Sequence, residues 1–409
     1  MTQELKVLAP HAFRDKLNRR AFIKAGSATA GMAVVLMACG GSDSASDTTA
    51  PAGDGDKLAS GDWSRVINKA SGTLAMYTWG DYNDPAVVGA LAEEDLGVKM
   101  RVDFFGSNED LITKLAAGGG SSSGFDIVVP TGPYIPQMIE KGLIQKFDKT
   151  LLPNISNIDP AYMGQAWDKG NDYSVCKNWG STGFFYDTTK ISKELNTWQD
   201  FLDACMGEAS GQCSVIDSAP NFVGPYFWAN GIDWNTEKKE DLDAAEAFLV
   251  DKFAQHVKAY DSQPSAKLGE GAFILSMAWS GDARMAYTRI AEAGGNPADW
   301  RWVLGTPDTE LWMDNYCIAA GSPNTEAAHA WINWALIPEV SLKDLLYIGF
   351  NTGMKNMEQL IADLAPDLEY GDMIFFKEEE LKTMHTQILN TSIDRQVDIL
   401  NQAKAKAGA

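Results

Sequence analysis

The chain predicts an α/β fold, and three observations carry the prediction. Strand-like and helix-like segments alternate between residues 73 and 130. One of those strands is a nearly unbroken apolar run, as in a parallel strand covered on both faces. Tryptophan and aspartate cluster where strands end, the position at which open α/β sheets collect ligands.

The elements follow in order. Thr73–Thr78 (TLAMYT) is a first strand, broken by Trp79-Gly80-Asp81-Tyr82. Asn83-Asp84-Pro85 opens a helix to about Glu94, because proline is tolerated in a first helical turn. Val98–Phe105 is a second strand. Ser107-Asn108-Glu109-Asp110 has the form of a capping box and starts a helix through Ala117. A Gly/Ser loop over 118–124 leads to the apolar strand Phe125–Pro130 (FDIVVP), followed by Thr131. Later, Phe273–Ala278 is a strand ending at Trp279, and Trp312–Ala319 is another apolar run.

Residues 1–38 read as a twin-arginine lipoprotein signal. Asn18–Lys24 (NRRAFIK) carries the paired arginines, and the uncharged stretch from Ala25 to Ala38 has signal length rather than membrane-span length. Leu36–Gly40 (LMACG) sets small residues before Cys39, the candidate lipidation site, although Met37 is larger than the pattern prefers. This signal implies export in the folded state and anchoring to the membrane through acyl chains. Residues 39–59, rich in Gly, Ser, Asp, Thr and Ala, form a flexible leash that cannot bury a core. Beyond it nothing is long and apolar enough to cross a membrane, and the chain exceeds what one core usually holds.

The formal charge is -21, and removing residues 1–38, with six basic and two acidic groups, leaves -25. Such a surface repels nucleic acid and anionic membranes and attracts small cations, though salt adaptation alone also produces acidity. Past Cys39 an even number of cysteines remains. Cys205 with Cys213 would close a short disulfide loop and Cys176 with Cys317 would be left as partners; four buried thiols are the alternative. His11, His256, His329 and His385 are scattered, no zinc spacing is present, and neither metal nor cofactor is expected.

Three segments place tryptophan within three residues of a carboxylate: Trp79 with Asp81, Trp279 with Asp282, and Trp312 with Asp314. An indole face attracts a cation through its quadrupole and shields methylenes, while the acid neutralises charge. The pattern suits an alkyl ammonium. Core tryptophans with turn aspartates explain any one segment better, but not the recurrence at strand ends.

The order of motifs resembles the periplasmic spermidine/putrescine-binding proteins of polyamine ABC importers. Tyr77–Tyr82 (YTWGDY), Ser107–Glu109 (SNE), Phe125–Pro130, Gly142–Asp148 (GLIQKFD) and Asn157–Pro160 (NIDP) come in that family's sequence; Trp179-Gly180, Thr182-Gly183, Thr197-Trp198, Met277–Trp279 and Trp312–Asp314 follow. The resemblance covers about 72–355. It implies a type II periplasmic-binding-protein fold, with 60–179 plus 314–350 as lobe 1, 180–313 plus 351–409 as lobe 2, and a ligand cleft between them. It implies that Trp79 and Tyr82 wall a methylene chain beside Asp81, that Thr131 and Tyr134 line the cleft, that Trp279 and Trp312 stack from the other side, and that Asp314 is the main ammonium acceptor. Asp282 matches a carboxylate of the putrescine-preferring branch. The sequence departs from the family at Phe350, where tyrosine is common, at Pro133, and at Ser218 and Asn221, which stand where acids usually meet the far amine; Asp217 sits one residue earlier. A diamine, or a monoamine with a polar tail, fits these departures at least as well as spermidine.

The function expected is therefore a lipid-anchored, single-chain receptor that is not an enzyme, partnered by a small polyamine-like cation and a membrane ABC permease and by no nucleic acid. A receptor for another small solute is one alternative. An exported glycoside hydrolase using Asp282 and Asp314 as acid and base is another, and it lacks a nucleophile constellation.

Overall fold

A long buried strand, β5, organises the molecule, a computed structural model that describes residues 61–118, 122–262, 264, 267 and 270–408. The signal, the leash and Cys39 lie outside the described residues. The strands are β1 (Gly72–Trp79), β2 (Val98–Phe105), β3 (Ile127–Val128), β4 (Ile144–Gln145), β5 (Ser174–Asp187), β6 (Cys213–Ile216), β7 (Val257–Asp261), β8 (Leu275–Trp279), β9 (Trp300–Val303), β10 (Thr309–Ala319), β11 (Asn351–Thr352) and β12 (Met384–His385). Their main path runs β2-β1-β3-β10-β5-β8-β6-β7. Pairing is parallel within β2-β1-β3 and within β8-β6-β7, and antiparallel where β10 and β5 join the two groups.

Six helices matter for the site: α1 (Asn108–Ala116), α2 (Trp198–Met206), α3 (Ala219–Ala229), α4 (Ser280–Glu292), α5 (Pro338–Ile348) and α6 (Ile393–Ala407). The Ser107 hydroxyl accepts from the Asp110 amide and caps α1, as expected. Thr197 and Asp200 form a reciprocal capping box at α2. The helix expected over 83–94 is interrupted. Gly89 has non-helical backbone angles, and Asn83 and Asp84 are held by Asp344, so regular helix begins only at Ala92. The segment 125–130 is fully buried but pairs over two residues only. The Asp126 carboxylate takes the next position in the ladder, accepting from the Ala75 amide at 2.8 Å.

Two large groups of buried side chains flank the β5–β10 pair. The first gathers Leu74, Val98, Ile127, Val175, Tyr316 and much of α5; the second gathers Phe184, Trp198, Val215, Phe227, Leu275 and, from α6, Ile399 and Ala403. Strand β5 contributes Val175 to the first and Phe184 and Tyr186 to the second, so it passes from one to the other, near Gly180–Gly183. Strand β10 returns alongside it, and β12 lies parallel to Thr309–Glu310. The segment 351–375, expected in lobe 2, packs with the first group through Met354, Met357, Leu360 and Ile374, because β11 pairs with Asn178–Trp179.

Cys176, Cys205, Cys213 and Cys317 are buried free thiols, which corrects the expected disulfides. Cys176 packs with Trp179 and Met313, whereas Cys317 packs with Leu111 and Ile135 in another cluster. Cys205 and Cys213 are neighbours in the second group, and the Cys213 thiol donates to the His256 carbonyl at 3.3 Å. The alternative reading, four buried thiols, is the one that holds.

Candidate functional site

Strand β1 ends at Trp79, and the loop after it is pinned from α5. Asp344 accepts from Asn83 Nδ2 at 3.0 Å and from the Asp84 amide at 2.8 Å. It also pairs with Lys177 of β5 at 3.2 Å, both side chains being buried. Lys177 Nζ donates to the Tyr82 carbonyl at 2.8 Å and to Asn178 Oδ1 at 2.6 Å, and stands 4.2 Å from the centre of the Tyr82 ring. Burial pulls the Lys177 pKa down while Asp344 opposes the shift. The result is a fixed Tyr82, held by a lysine that sequence reading overlooked. Its only signal was a single cation inside an otherwise uncharged run, Ser174–Tyr186.

Asp314 of β10 lies bridged to Thr131, the residue after the apolar strand. The carboxylate is 6% exposed, and burial raises its pKa to about 6 against the opposing influence of the Thr131 and Tyr82 hydroxyls and the Lys177 charge. Asp314 Oδ1 and the Tyr82 hydroxyl nevertheless meet no partner of ordinary hydrogen-bond geometry. Thr131 is set by Asn108, the first residue of α1, which accepts from its amide and donates to its hydroxyl, both at 3.0 Å. Asp314 is thus a buried anion with an oxygen left over.

Aromatic rings gather around Tyr82, whose hydroxyl acts on Asp314. Trp312 meets Phe350 edge-on at 4.8 Å, and Phe350 lies 6.0 Å from Tyr82. Gly180 is required here, because a Cβ would stand 2.6 Å from Trp312 Cζ2; a Cβ on Gly281 would meet the Phe350 ring at 2.6 Å. Trp279, half-buried at the end of β8, touches both large groups and pairs with Thr182. Trp79 packs edge-on against Phe105 at 4.5 Å. The indole nitrogens of Trp79 and Trp312 are buried without a partner.

Further along β10 stands Glu310, which sequence reading did not single out. Its Oε2 accepts from Thr182 Oγ1 at 2.5 Å and from Asn221 Nδ2, in the first turn of α3, at 2.6 Å. Burial raises its pKa to about 7; those two donors oppose the shift and Asp314 adds to it. Asn221 therefore belongs to the site through Glu310. Ser218 is half-buried as the residue before α3 and makes no capping bond. Asp217 is taken by Lys404 of α6, at 2.7 and 2.8 Å. Tyr134 gives its hydroxyl to Glu109 at 2.8 Å, and the Glu310 charge still reaches it.

The expected residues thus fall into two sets. Tyr82, Thr131, Trp312, Asp314 and Phe350 converge, with Asn221, Tyr134 and Trp279 adjoining them through Glu310 and Thr182. Asp81 stands apart, exposed in a left-handed backbone conformation (φ 52°) with its charge acting on Tyr347. Asp282 is half-buried in the first turn of α4, next to the Gly281–Phe350 contact. Among the described residues no cluster of three or more histidine, cysteine or acidic side chains suits a metal, and no helix is long and apolar enough to cross a membrane.

The pattern of the bacterial extracellular solute-binding protein family matches residues 86–367. The spermidine/putrescine-binding periplasmic protein of Escherichia coli is 29% identical over 312 residues, 76% of this chain and 85% of that one. The putrescine/agmatine-binding protein of Pseudomonas aeruginosa is 30% identical over 326 residues, 77% of this chain and 86% of that one. Among solved structures, the spermidine/putrescine ABC transporter substrate-binding protein of Streptococcus pneumoniae superposes with a TM-score of 0.66 at 25% identity, covering 82% of this chain and 100% of that one.

Proposed function

Since this chain belongs to the bacterial extracellular solute-binding protein family and has the periplasmic-binding-protein fold, we propose that it captures a polyamine-like cation between two lobes and delivers it to an ABC permease. The observation that carries the reading is Asp314. A carboxylate buried beside Trp312, Phe350 and Tyr82, with one oxygen unpartnered, is costly unless a cation completes it. An alkyl ammonium supplies the charge, the hydrogen-bond donors and the methylenes that indole and phenyl faces shield.

Trp312 and Asp314 come from β10, with Trp312 in the first group of buried side chains, while Asn221 comes from α3, whose apolar residues lie in the second. A ligand touching both stabilises the closed arrangement over any open one, so closure is a population shift driven by those contacts. The reading includes export by the twin-arginine route, a lipid anchor at Cys39 and no catalytic role. The family's solute-binding character supports the last point against the hydrolase alternative.

Thermal unfolding of the mature chain with putrescine and with spermidine tests the proposal. At a hundredfold excess over Kd the ligand adds about 2.7 kcal/mol, a rise in Tm of roughly 5 °C for a protein of this size. Asp314→Asn abolishes the rise. A native chain whose Tm responds to no amine sinks the reading.

A further inference from the structure

The strand β10 alone presents a spaced pair of acids. Glu310, Trp312 and Asp314 alternate along it, so all three side chains project from one face. Four residues of extended strand separate the two carboxylates by roughly 13 Å at the backbone. The indole lies midway. Thr182 and Asn221 both donate to Glu310 Oε2, so the two bonds that fix this carboxylate fall on one of its oxygens. At the other end Asp314 Oδ1 is buried without a partner. The loop before α3 brings no free acid to this place: Ser218 and Asn221 are neutral, and Asp217 is spent on Lys404.

We propose that Glu310 is the second ammonium acceptor, and that Glu310, Trp312 and Asp314 together select a linear α,ω-diamine of four to five carbons over a monoamine and over a longer triamine. The inference rests on the reading of this site as an amine-capturing cleft. It adds the identity of the distal acid and the length of the ligand. Each ammonium–carboxylate contact occupies about 3 Å, which leaves roughly 7 Å between nitrogens. An extended four-carbon diamine spans about 6 Å from nitrogen to nitrogen with ordinary bond lengths. The amide of Asn221 and the hydroxyl of Thr182 hold Glu310 in place, and Asn221 brings the second group of side chains to the distal end of the ligand. Their neutrality is what the arrangement needs, because a third acid there would repel Glu310.

Calorimetric titration at pH 8 of the mature wild-type chain, Glu310→Gln and Glu310→Asp with butylamine, 1,3-diaminopropane, putrescine, cadaverine and spermidine tests this. Wild type binds putrescine and cadaverine tightest. Glu310→Gln loses about 10- to 100-fold on the diamines and leaves butylamine within threefold. Glu310→Asp, which keeps the charge and shortens the reach by one methylene, keeps diamine binding and moves the optimum toward cadaverine. Unchanged diamine affinity in Glu310→Gln, or an equal loss on butylamine and putrescine, overturns the role of Glu310 while amine capture stands. Wild type binding spermidine tightest overturns the length selection. Binding of no amine by wild type removes the underlying reading and this inference with it.

Discussion

Asp314 and Glu310 are carboxyls whose proton affinities burial has moved to about 6 and about 7, well above their ordinary values. The sign of the consequence is fixed. A folded-state pKa above the unfolded one favours the protonated form in the native protein, so the stabilisation is full below about pH 4 and is lost as pH rises through 6 and then 7. Asp84, raised to about 6 mainly by burial, contributes with the same sign. Amine capture runs the other way, since an ammonium needs both acids ionised. The unliganded protein should therefore lose thermal stability between about pH 4.5 and 7.5, while the increment from putrescine grows over that range. Asp314→Asn and Glu310→Gln should each flatten both trends. A pH series of melting curves checks this, and a putrescine increment that stays constant from pH 5 to 8 would contradict it.

At the scale of elements, the crossing strand β5 does two jobs, carrying the chain between the two packed groups and offering Gly180 as the floor beneath Trp312. A methyl at Gly180 cannot be absorbed by a flexible side chain, because the atoms it meets are aromatic carbons of Trp312 and Phe350. Gly180→Ala should cost about 1–3 kcal/mol of stability by overpacking and weaken putrescine binding at least tenfold, as the indole leaves its place. Urea unfolding and amine titration measure the two effects, and wild-type affinity in this variant would remove Trp312 as a wall. Elements whose pattern is local were legible in the sequence: β2 spans the residues expected, and Ser107 caps α1. The helix after β1 was not, because a tertiary partner, Asp344, draws away its first turn. Glu310 was hidden for the same kind of reason. What makes it a site residue is apposition to Asn221 and Thr182, 89 and 128 positions away, and nothing in its own neighbourhood reports that. The tryptophan–aspartate pairs were legible as chemistry, yet only the carboxylate of Asp314 lies deep among the rings, while Asp81 faces solvent.

The whole molecule joins a net acidic charge to a buried acceptor. A net charge of -21 favours the approach of small cations over long range and falls off with salt. Selection belongs to the interior, where desolvation makes each contact count. The segment 351–375 packs with the first group through β11, a two-residue strand too short to leave a periodic signal. Trp312 and Asp314 are proposed to hold one end of a flexible cation. A crystal structure of the mature chain with putrescine tests it most directly. The expected structure holds one diamine with an ammonium within hydrogen-bond reach of Asp314 and its methylenes against the Trp312 indole. Putrescine bound elsewhere, with neither residue in contact, would contradict it.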